Sequence, residues 1–204
     1  MINQEPDVDR RAQILDAALL VIADRGFHAA SIKRIADQAG LKSPALIYWY
    51  FKDKQALLEG IFERISPFLS TVAEAEADLD DPPEQVLPRL VDSFLQTVAQ
   101  PRMGRFVRIM LSEFARHRAV ADWFAERGPL VVLRFLERYL ARQVELGRLR
   151  EHDSRAAARA LMGTLLVYGL GREIFPGVAS GFSDTYGQEV VAIFLTGLRA
   201  PADS

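Results

Sequence analysis

The chain of 204 residues contains no cysteine. This absence excludes disulfides, thiolate nucleophiles and zinc sites built on cysteine. No apolar run reaches the length of a membrane-spanning helix, because arginine or glycine interrupts the longest ones. The first residues are polar and lack the apolar core of a signal peptide. We therefore expect a cytoplasmic protein.

A strong net charge is missing as well. Lysine and arginine number 25 and aspartate and glutamate number 27, which gives a formal net charge of −2. Half of the residues are apolar and a quarter are charged, as in ordinary globular domains. A surface that binds nucleic acid would therefore need a local concentration of basic residues.

The sequence also lacks the motifs of common enzymes. It contains no GxSxG, no Walker loop, and no GxGxxG after a strand. The three histidines, His28, His117 and His152, lie far apart and have no metal-ligand spacing. Asp80 and Asp81 lie in a proline-containing linker, where a pair of solvated carboxylates is ordinary. We predict a protein that is not an enzyme and needs no cofactor and no metal.

Helical periodicity recurs along the chain, while strand signals are nearly absent. Residues 9–24 carry apolar residues at helical spacing, and Gly26 ends this helix. Ser31 is a good N-cap for a second short helix, and Ser43, followed by proline, begins a third. Asp53 can cap a fourth helix.

The linker DLDDPPEQ separates this region from longer helical segments. Before it, Pro67 predicts a kink or a break near Ser66. The pattern predicts an all-α fold with two domains. A three-helix helix-turn-helix domain and its connecting fourth helix occupy residues 8–68, and a larger helical domain occupies residues 69–204.

Two short helices joined by a glycine-containing turn, here over residues 31–51, are typical of a helix-turn-helix. Between Arg25 and Lys54 there are six basic and two acidic residues, a local charge of +4. Such an excess suits contact with phosphates, although solvated basic faces are common. The pattern favours DNA binding at this position.

Residues 10–62 resemble the N-terminal domain of the tetracycline-repressor (TetR) family of transcription regulators. The matching pieces are RRAQILDAALLVIADRGF, SIKRIADQAGL and IYWYFKDKQALLEGIF. The likeness rests on an ordered set: Arg-Gly-Phe, Ile-Ala-x-x-Ala-Gly, then Tyr-x-x-Phe-x-x-Lys. One departure is an additional residue between Gly40 and Phe51, which the turn or the start of the third helix must accommodate.

Helical spacing assigns the aromatic residues of the third helix to different faces. Ile47, Tyr50 and Phe51 follow i, i+3, i+4 and can form the inner face. Tyr48 and Trp49 then point outward or sideways, since successive residues are turned by about 100°.

The resemblance implies a set of DNA-contacting residues. It places Tyr48 and Tyr50 near phosphates and Trp49 at the groove, while small residues at the start of the third helix allow close approach to bases. The alternatives are an ordinary surface position for Trp49, a half-buried core position for Tyr50, and simple capping by the serines. The set comprises Ser31, Lys33, Lys42, Ser43, Pro44, Ala45, Tyr48, Trp49, Tyr50 and Lys54.

The resemblance also implies that the larger domain dimerises through its last two long helices. A two-fold dimer is the commonest closed assembly, although both apolar stripes could instead be buried within one chain. The residues expected at the interface are Ala157, Leu161, Leu165, Val191, Phe194, Leu195 and Leu198.

An effector pocket is expected between the middle helices. Aromatic and methionine side chains there favour an apolar or flat small molecule, although most of them also suit an ordinary core. A small basic cluster at residues 116–118 could meet an anionic group or simply be a solvated helix end. The candidate lining residues are Phe94, Phe106, Met110, Phe114, Trp123, Phe135, Tyr139, Met162 and Tyr168.

We therefore predict a ligand-responsive transcriptional regulator. It would bind a palindromic operator as a homodimer and leave it when a small-molecule effector binds; repression rather than activation follows from the family alone. The alternative is a helical protein-interaction module that keeps the fold without binding DNA. Such a module would not explain why Lys33, Lys42 and Lys54 fall on the helix-turn-helix frame.

Overall fold

The computed structural model describes residues 7–114, 118–175, 177 and 181–199, so the predicted basic cluster at 116–118 lies mostly outside the described residues. The prediction of an all-α fold is confirmed. Among these residues no helix combines the length and hydropathy needed to cross a bilayer. The helices are α1 (Asp7–Arg25), α2 (Ile32–Gln38), a 3₁₀ helix (Pro44–Trp49), α3 (Lys54–Ile65), α4 (Pro67–Glu76), α5 (Pro83–Ala99), α6 (Pro101–Phe114), α7 (Arg118–Arg127), α8 (Pro129–Glu145), α9 (Ser154–Ile174) and α10 (Tyr186–Leu198).

Local chemistry defines the ends of the N-terminal helices. The side chains of Ser31, Ser43 and Asp53 each accept a hydrogen bond from a backbone N–H two or three residues further on, as N-caps do. Gly26 and Gly40, with φ of +81° and +63°, take the left-handed conformation that lets the chain turn after α1 and α2. The predicted caps and stops are therefore present.

The chain divides into two compact units. The N-terminal unit comprises the described residues up to Ser66 and those of Pro101–Ala121; the C-terminal unit comprises Pro67–Gln100 and the described residues from Asp122 onward. The first division falls where α3 ends at Ser66 and a new helix begins at Pro67, which is the interruption that the proline predicts.

The N-terminal unit is built around α1. Its buried face, which includes Ile14, Ala18 and Ile22, packs against α2, α3 and α6. The rings of Phe62 on α3 and Phe106 on α6 stack at 5.5 Å between centroids. Helix α6 thus belongs to this unit, although it follows the first segment of the C-terminal unit in the sequence.

The C-terminal unit packs α4, α5, α8, α9 and α10 around one core. Tyr139 lies buried at its centre and donates a hydrogen bond of 2.8 Å to the backbone oxygen of Asp81. Asp80 is exposed but accepts two hydrogen bonds from Arg142, which lower the pKa of this carboxyl. The acidic linker is therefore attached to α8 rather than freely solvated.

Candidate DNA-binding surface

The candidate DNA-binding surface lies on α2 and the 3₁₀ helix. Both pack inward through buried aliphatic residues, Ile35 and Ala36 on α2 and Ile47 on the 3₁₀ helix. The side chain of Gln13 on α1 donates a hydrogen bond of 2.9 Å to the backbone oxygen of Ala39 at the end of α2. The helix-turn-helix is therefore fixed on its inner side, and its outer side remains open.

The segment that carries the additional residue forms a 3₁₀ helix rather than an α-helix. Backbone bonds of the i to i+3 type join Leu46 to Ser43 and Tyr50 to Ile47. Pro44 occupies the first helical position, where its missing N–H costs no hydrogen bond. The sequence predicted a helix here but not its tighter winding.

The aromatic residues point as their spacing predicts. Ile47 and Phe51 are buried and Tyr50 is half-buried, while the exposed fractions of Tyr48 and Trp49 are 56% and 78%. Two neighbouring exposed aromatics are a substantial apolar surface to leave in water, and such surfaces usually have a partner.

Basic and small residues accompany these aromatics. Lys33 on α2 and Lys42 in the turn are exposed, as are Pro44 and Ala45 at the start of the 3₁₀ helix. The surface therefore combines cations, aromatic rings with a polar atom, and small side chains that leave room for a base edge. Ser31 and Ser43 lie beside it and serve as helix caps.

Lys54 is more engaged within the protein than the resemblance implies. Its Nζ donates to the backbone oxygens of His28 at 3.0 Å and Ala30 at 3.1 Å, and it lies 4.7 Å from the centre of the Phe27 ring. Burial lowers the pKa of Lys54, while the nearby charge of Glu113 acts in the opposite direction. Its ammonium therefore holds the loop between α1 and α2.

Sequence reasoning missed Glu113, whose carboxylate contacts the same loop. The available signal was its position on α6, where it continues the buried stripe of Met103, Phe106 and Met110 at helical spacing. A carboxylate on the apolar face of a helix indicates a polar partner at the surface it packs against.

The predicted pocket residues are found in several environments. Phe106 and Met110 are buried on α6 in the N-terminal unit, and Phe114 and Trp123 are half-buried. A hollow of about 220 Å³ between α5 and α10 is lined by none of the predicted pocket residues. Four of the candidates belong to the core of the C-terminal unit, and the last stacks on Tyr186: Phe94, Phe135, Tyr139, Met162 and Tyr168.

Most of the predicted dimer residues face the core of their own chain. Helix α9 packs against α5 and α8, and α10 packs against α5. The exposed apolar side chains on the same helices are different ones: Val167 is 55% exposed and Ile193 is 71% exposed. Of the predicted set, Ala157, Phe194 and Leu195 are half-buried, and the buried residues are Leu161, Leu165, Val191 and Leu198.

Known proteins share both the helix-turn-helix and the region after the linker. Residues 14–61 match the family model of the tetR family of bacterial regulatory proteins, and residues 85–196 match that of the C-terminal domain of AefR-like transcriptional repressors. The chain belongs to the TetR family. It is thus a transcriptional regulator with a TetR-type helix-turn-helix, and it belongs to a class of proteins that are not enzymes.

Curated TetR-family relatives match over part of their length. The transcriptional activator FasR of Mycolicibacterium smegmatis is 35% identical over 103 residues, which are 50% of this chain and 46% of that protein. The fatty acid metabolism regulator protein of Bacillus subtilis is 41% identical over 63 residues, or 30% of this chain and 32% of that protein. The chain therefore spans about half or less of the length of these relatives.

Solved structures of the family match over nearly the whole chain. The complex of SmeT with triclosan has a TM-score of 0.76 and 28% identity, covering 94% of this chain and 92% of that one. The fatty acid degradation regulator FadR of Bacillus halodurans has a TM-score of 0.68 and 27% identity, covering 92% of this chain and 99% of that one.

Proposed function

We propose that this TetR-family regulator is a cytoplasmic, ligand-responsive repressor of transcription. A homodimer would bind a palindromic operator, and a small-molecule effector would release it. Effector binding and operator binding would oppose each other, so that each lowers the affinity for the other by the same factor. The observation that supports this proposal best is the exposed pair Tyr48 and Trp49 on a capped helix beside exposed lysines.

The residues around the 3₁₀ helix suggest which base edges the protein contacts. Residues 40–52 contain no Asp, Glu, Asn or Gln, the side chains that accept from cytosine or pair bidentately with adenine. Lys42 and Trp49 offer N–H donors, and Pro44 and Ala45 offer apolar carbons. We expect operator half-sites whose specificity rests on guanine acceptors and thymine methyl groups.

The exposed faces of α9 and α10 are the proposed dimer interface. Val167 and Ile193 would lie against a second copy of the chain. Phe194 and Leu195, which are half-buried, would lie at the edge of this interface. Burying exposed aliphatic side chains of this kind stabilises association in proportion to the apolar area removed from water. The dimer would place two 3₁₀ helices in successive major grooves, about 34–36 Å apart.

The proposed effector is largely apolar. The core of the C-terminal unit is built from aliphatic and aromatic side chains with Met162 among them, which favours a hydrophobic ligand. Relatives named for fatty acid metabolism and degradation, and a structural neighbour in complex with triclosan, support the same class. The predicted lining residues remain candidates, and Phe94 and Met162 belong to this buried core.

Selection of binding sites from random duplex DNA, at two salt concentrations, tests the operator. An enriched palindrome whose affinity falls steeply with salt is the expected result. Replacing thymine by uracil in that site, which removes only the methyl group, should then weaken binding. A folded dimer that enriches no sequence, even after unfolding and refolding to remove any copurified ligand, would favour the interaction-module alternative.

A reporter gene placed behind the selected operator tests the sign of regulation. Repression predicts higher expression when the regulator is deleted or when a fatty acid or triclosan-like compound is added. Lower expression on deletion would instead make the protein an activator, as the name of the FasR relative describes that protein.

A further inference from the structure

A buried carboxylate from α6 contacts the loop that leads into the helix-turn-helix. Glu113 is only 3% exposed. Its Oε1 accepts a hydrogen bond of 3.2 Å from the backbone N–H of Phe27, and its Oε2 lies 3.4 Å from Nε2 of His28. Both residues belong to the loop 26–30 between α1 and α2, and Phe27 lies 86 residues before Glu113 in the chain.

Lys54 holds the same loop through its backbone oxygens. Its Nζ donates to His28 and Ala30, and these two bonds complement the one that Phe27 makes to Glu113. One charged group therefore accepts from the loop and one charged group donates to it. Hydrogen bonds to charged groups are stronger than those between neutral groups, so this pair fixes the loop firmly.

The position of Glu113 is itself fixed, because α6 is attached to the N-terminal unit at two other points. Arg102, at the start of α6, contacts Asp16 on α1 at 3.1 Å. Phe106, in the middle, stacks on Phe62. Glu113 therefore approaches the loop from a helix that is held along its length.

A purely structural role would be served better by an apolar residue. The stripe of Met103, Phe106 and Met110 leads directly to position 113, and a buried carboxylate costs free energy unless it is hydrogen-bonded and paired. The gain from an acceptor here is a defined backbone conformation in the five residues before Ser31.

We propose that Glu113 is a positioning residue for operator binding. By fixing the loop 26–30 it sets the place of Ser31 and Lys33, the first residues of the helix-turn-helix, without touching DNA. This inference rests on the proposed operator binding. It also means that the DNA-binding function needs α6, which lies outside the segment that matches the tetR-family model.

Charge and position predict opposite results when Glu113 is replaced. DNA is a polyanion, so removing a negative charge from a DNA-binding unit should by itself strengthen binding. Loss of a positioned contact should weaken it instead. The sign of the change therefore separates the positioning role from a general electrostatic effect.

The experiment uses the full-length dimer and the operator found by selection. Affinities of wild type, Glu113→Gln and Glu113→Ala are measured by fluorescence anisotropy, at a temperature well below the melting of each variant. Asp37→Asn, which removes an exposed carboxylate from α2, is the matched charge control. Glu113→Ala should bind about tenfold more weakly, Glu113→Gln less so because an acceptor remains, and Asp37→Asn equally or more tightly.

Two further measurements distinguish a loss of loop positioning from a loss of folding stability. Amide hydrogen exchange in the free protein should speed up at residues 27–31 in Glu113→Ala while exchange in the C-terminal unit stays unchanged. The affinities of Glu113→Gln, Lys54→Gln and the double variant should be non-additive, because both side chains fix one loop.

Wild-type affinity in a folded Glu113→Ala dimer, or unchanged exchange at 27–31, would overturn the positioning role. Additive effects of the Glu113 and Lys54 substitutions would overturn it as well. If Glu113→Ala does not fold, Glu113→Gln alone decides by its sign relative to Asp37→Asn. A wild-type protein that selects no operator would overturn the proposed function itself, and the inference with it.

Discussion

The two units expose different kinds of apolar side chain. On the N-terminal unit the most exposed large apolar residues described are the aromatics Tyr48 and Trp49, each with a hydrogen-bonding atom. On the C-terminal unit they are Ile193, Phe175 and Val167, whose side chains have no hydrogen-bonding atom. A ring with a polar atom suits a wet, charged partner, whereas purely apolar side chains suit a dry contact with another protein surface.

The units also differ in how they use polar side chains that are buried or half-buried. In the N-terminal unit, Glu113 and Lys54 fix a loop next to the exposed helix-turn-helix. In the C-terminal unit, Tyr139 and Gln143 donate to backbone oxygens of the linker between α4 and α5. The first arrangement fixes a loop beside an exposed surface, and the second attaches the linker to the core of its unit.

The largest effect is expected at the DNA-binding surface. Ala45→Asp places a carboxylate at the exposed start of the 3₁₀ helix, where it would face phosphates and base edges. Like charges juxtaposed at an interface cost several kcal/mol, so operator affinity should fall at least about 100-fold. Anisotropy titration measures this, with Ala73→Asp at an exposed position on α4 of the C-terminal unit as the matched control. Equal losses in both variants would remove the distinction between the units.

A slightly smaller effect is expected at the proposed dimer interface. Ile193→Glu should shift the dimer toward monomer, because the proposed interface would bury an unpaired charge. Sedimentation velocity should show a dimer dissociation constant raised by about 100-fold. Gln188→Glu, an exposed position elsewhere on α10, should leave the dimer unchanged. A dimer that survives Ile193→Glu would locate the interface on another surface.

A more moderate pair of effects concerns one closely packed glycine in each unit. A Cβ on Gly60 would lie 2.9 Å from Leu15, and a Cβ on Gly187 would lie 2.7 Å from Leu95. Each alanine substitution should destabilise its own unit by about 1–3 kcal/mol, since the neighbouring core side chains must move.

The two tryptophans allow this pair to be measured separately, because Trp49 lies in the N-terminal unit and Trp123 in the C-terminal unit. In a Trp123→Phe background the tryptophan fluorescence follows urea unfolding of the N-terminal unit. In a Trp49→Phe background it follows unfolding of the C-terminal unit. Gly60→Ala should shift only the Trp49 transition and Gly187→Ala only the Trp123 transition. A shift of both transitions by either variant would show that the units unfold as one.

The smallest effect is a difference in the alkaline pH dependence of the two units. Burial lowers the pKa of Lys54, so its contribution to stability is present above the ordinary value of about 10.4 and is lost as the pH falls through its folded pKa. Burial raises the pKa values of Tyr139 and Tyr186, so their contribution is present below about 10 and is lost as the pH rises.

Urea unfolding at several pH values between about 8.5 and 10.5 gives the change of the unfolding free energy with pH for each unit. Lys54→Gln should make the Trp49 transition lose stability more steeply with pH than in wild type, and Tyr139→Phe should make the Trp123 transition lose less. Unchanged slopes in both variants would contradict the desolvation of these side chains.

Local features of the candidate site were predictable from the sequence. Ser31, Ser43 and Asp53 act through N–H groups two or three residues away, so their role depends on neighbours that the sequence displays. The exposure of Tyr48 and Trp49 follows similarly from the buried positions of Ile47 on the same short helix and of Phe51 just after it.

Long-range features were not predictable in this way. The hydrogen bond from Phe27 to Glu113 joins residues 86 apart, and no local pattern indicates which loop a distant carboxylate will meet. The attachment of Lys54 to the backbone of residues 28 and 30 is similar, because a lysine after a helix cap is ordinarily solvated.

The sequence by itself determined the helices, their caps, the helix-turn-helix and the family, because each depends on short-range periodicity or on an ordered set of nearby residues. Only the tertiary structure decided which apolar stripe of α9 and α10 is core: Leu161 and Leu165 are buried, while Val167 and Ile193 are exposed. A helix with apolar residues on more than one face does not indicate which face its neighbours will cover. That choice, like the inclusion of α6 in the N-terminal unit, follows from packing between segments distant in the chain.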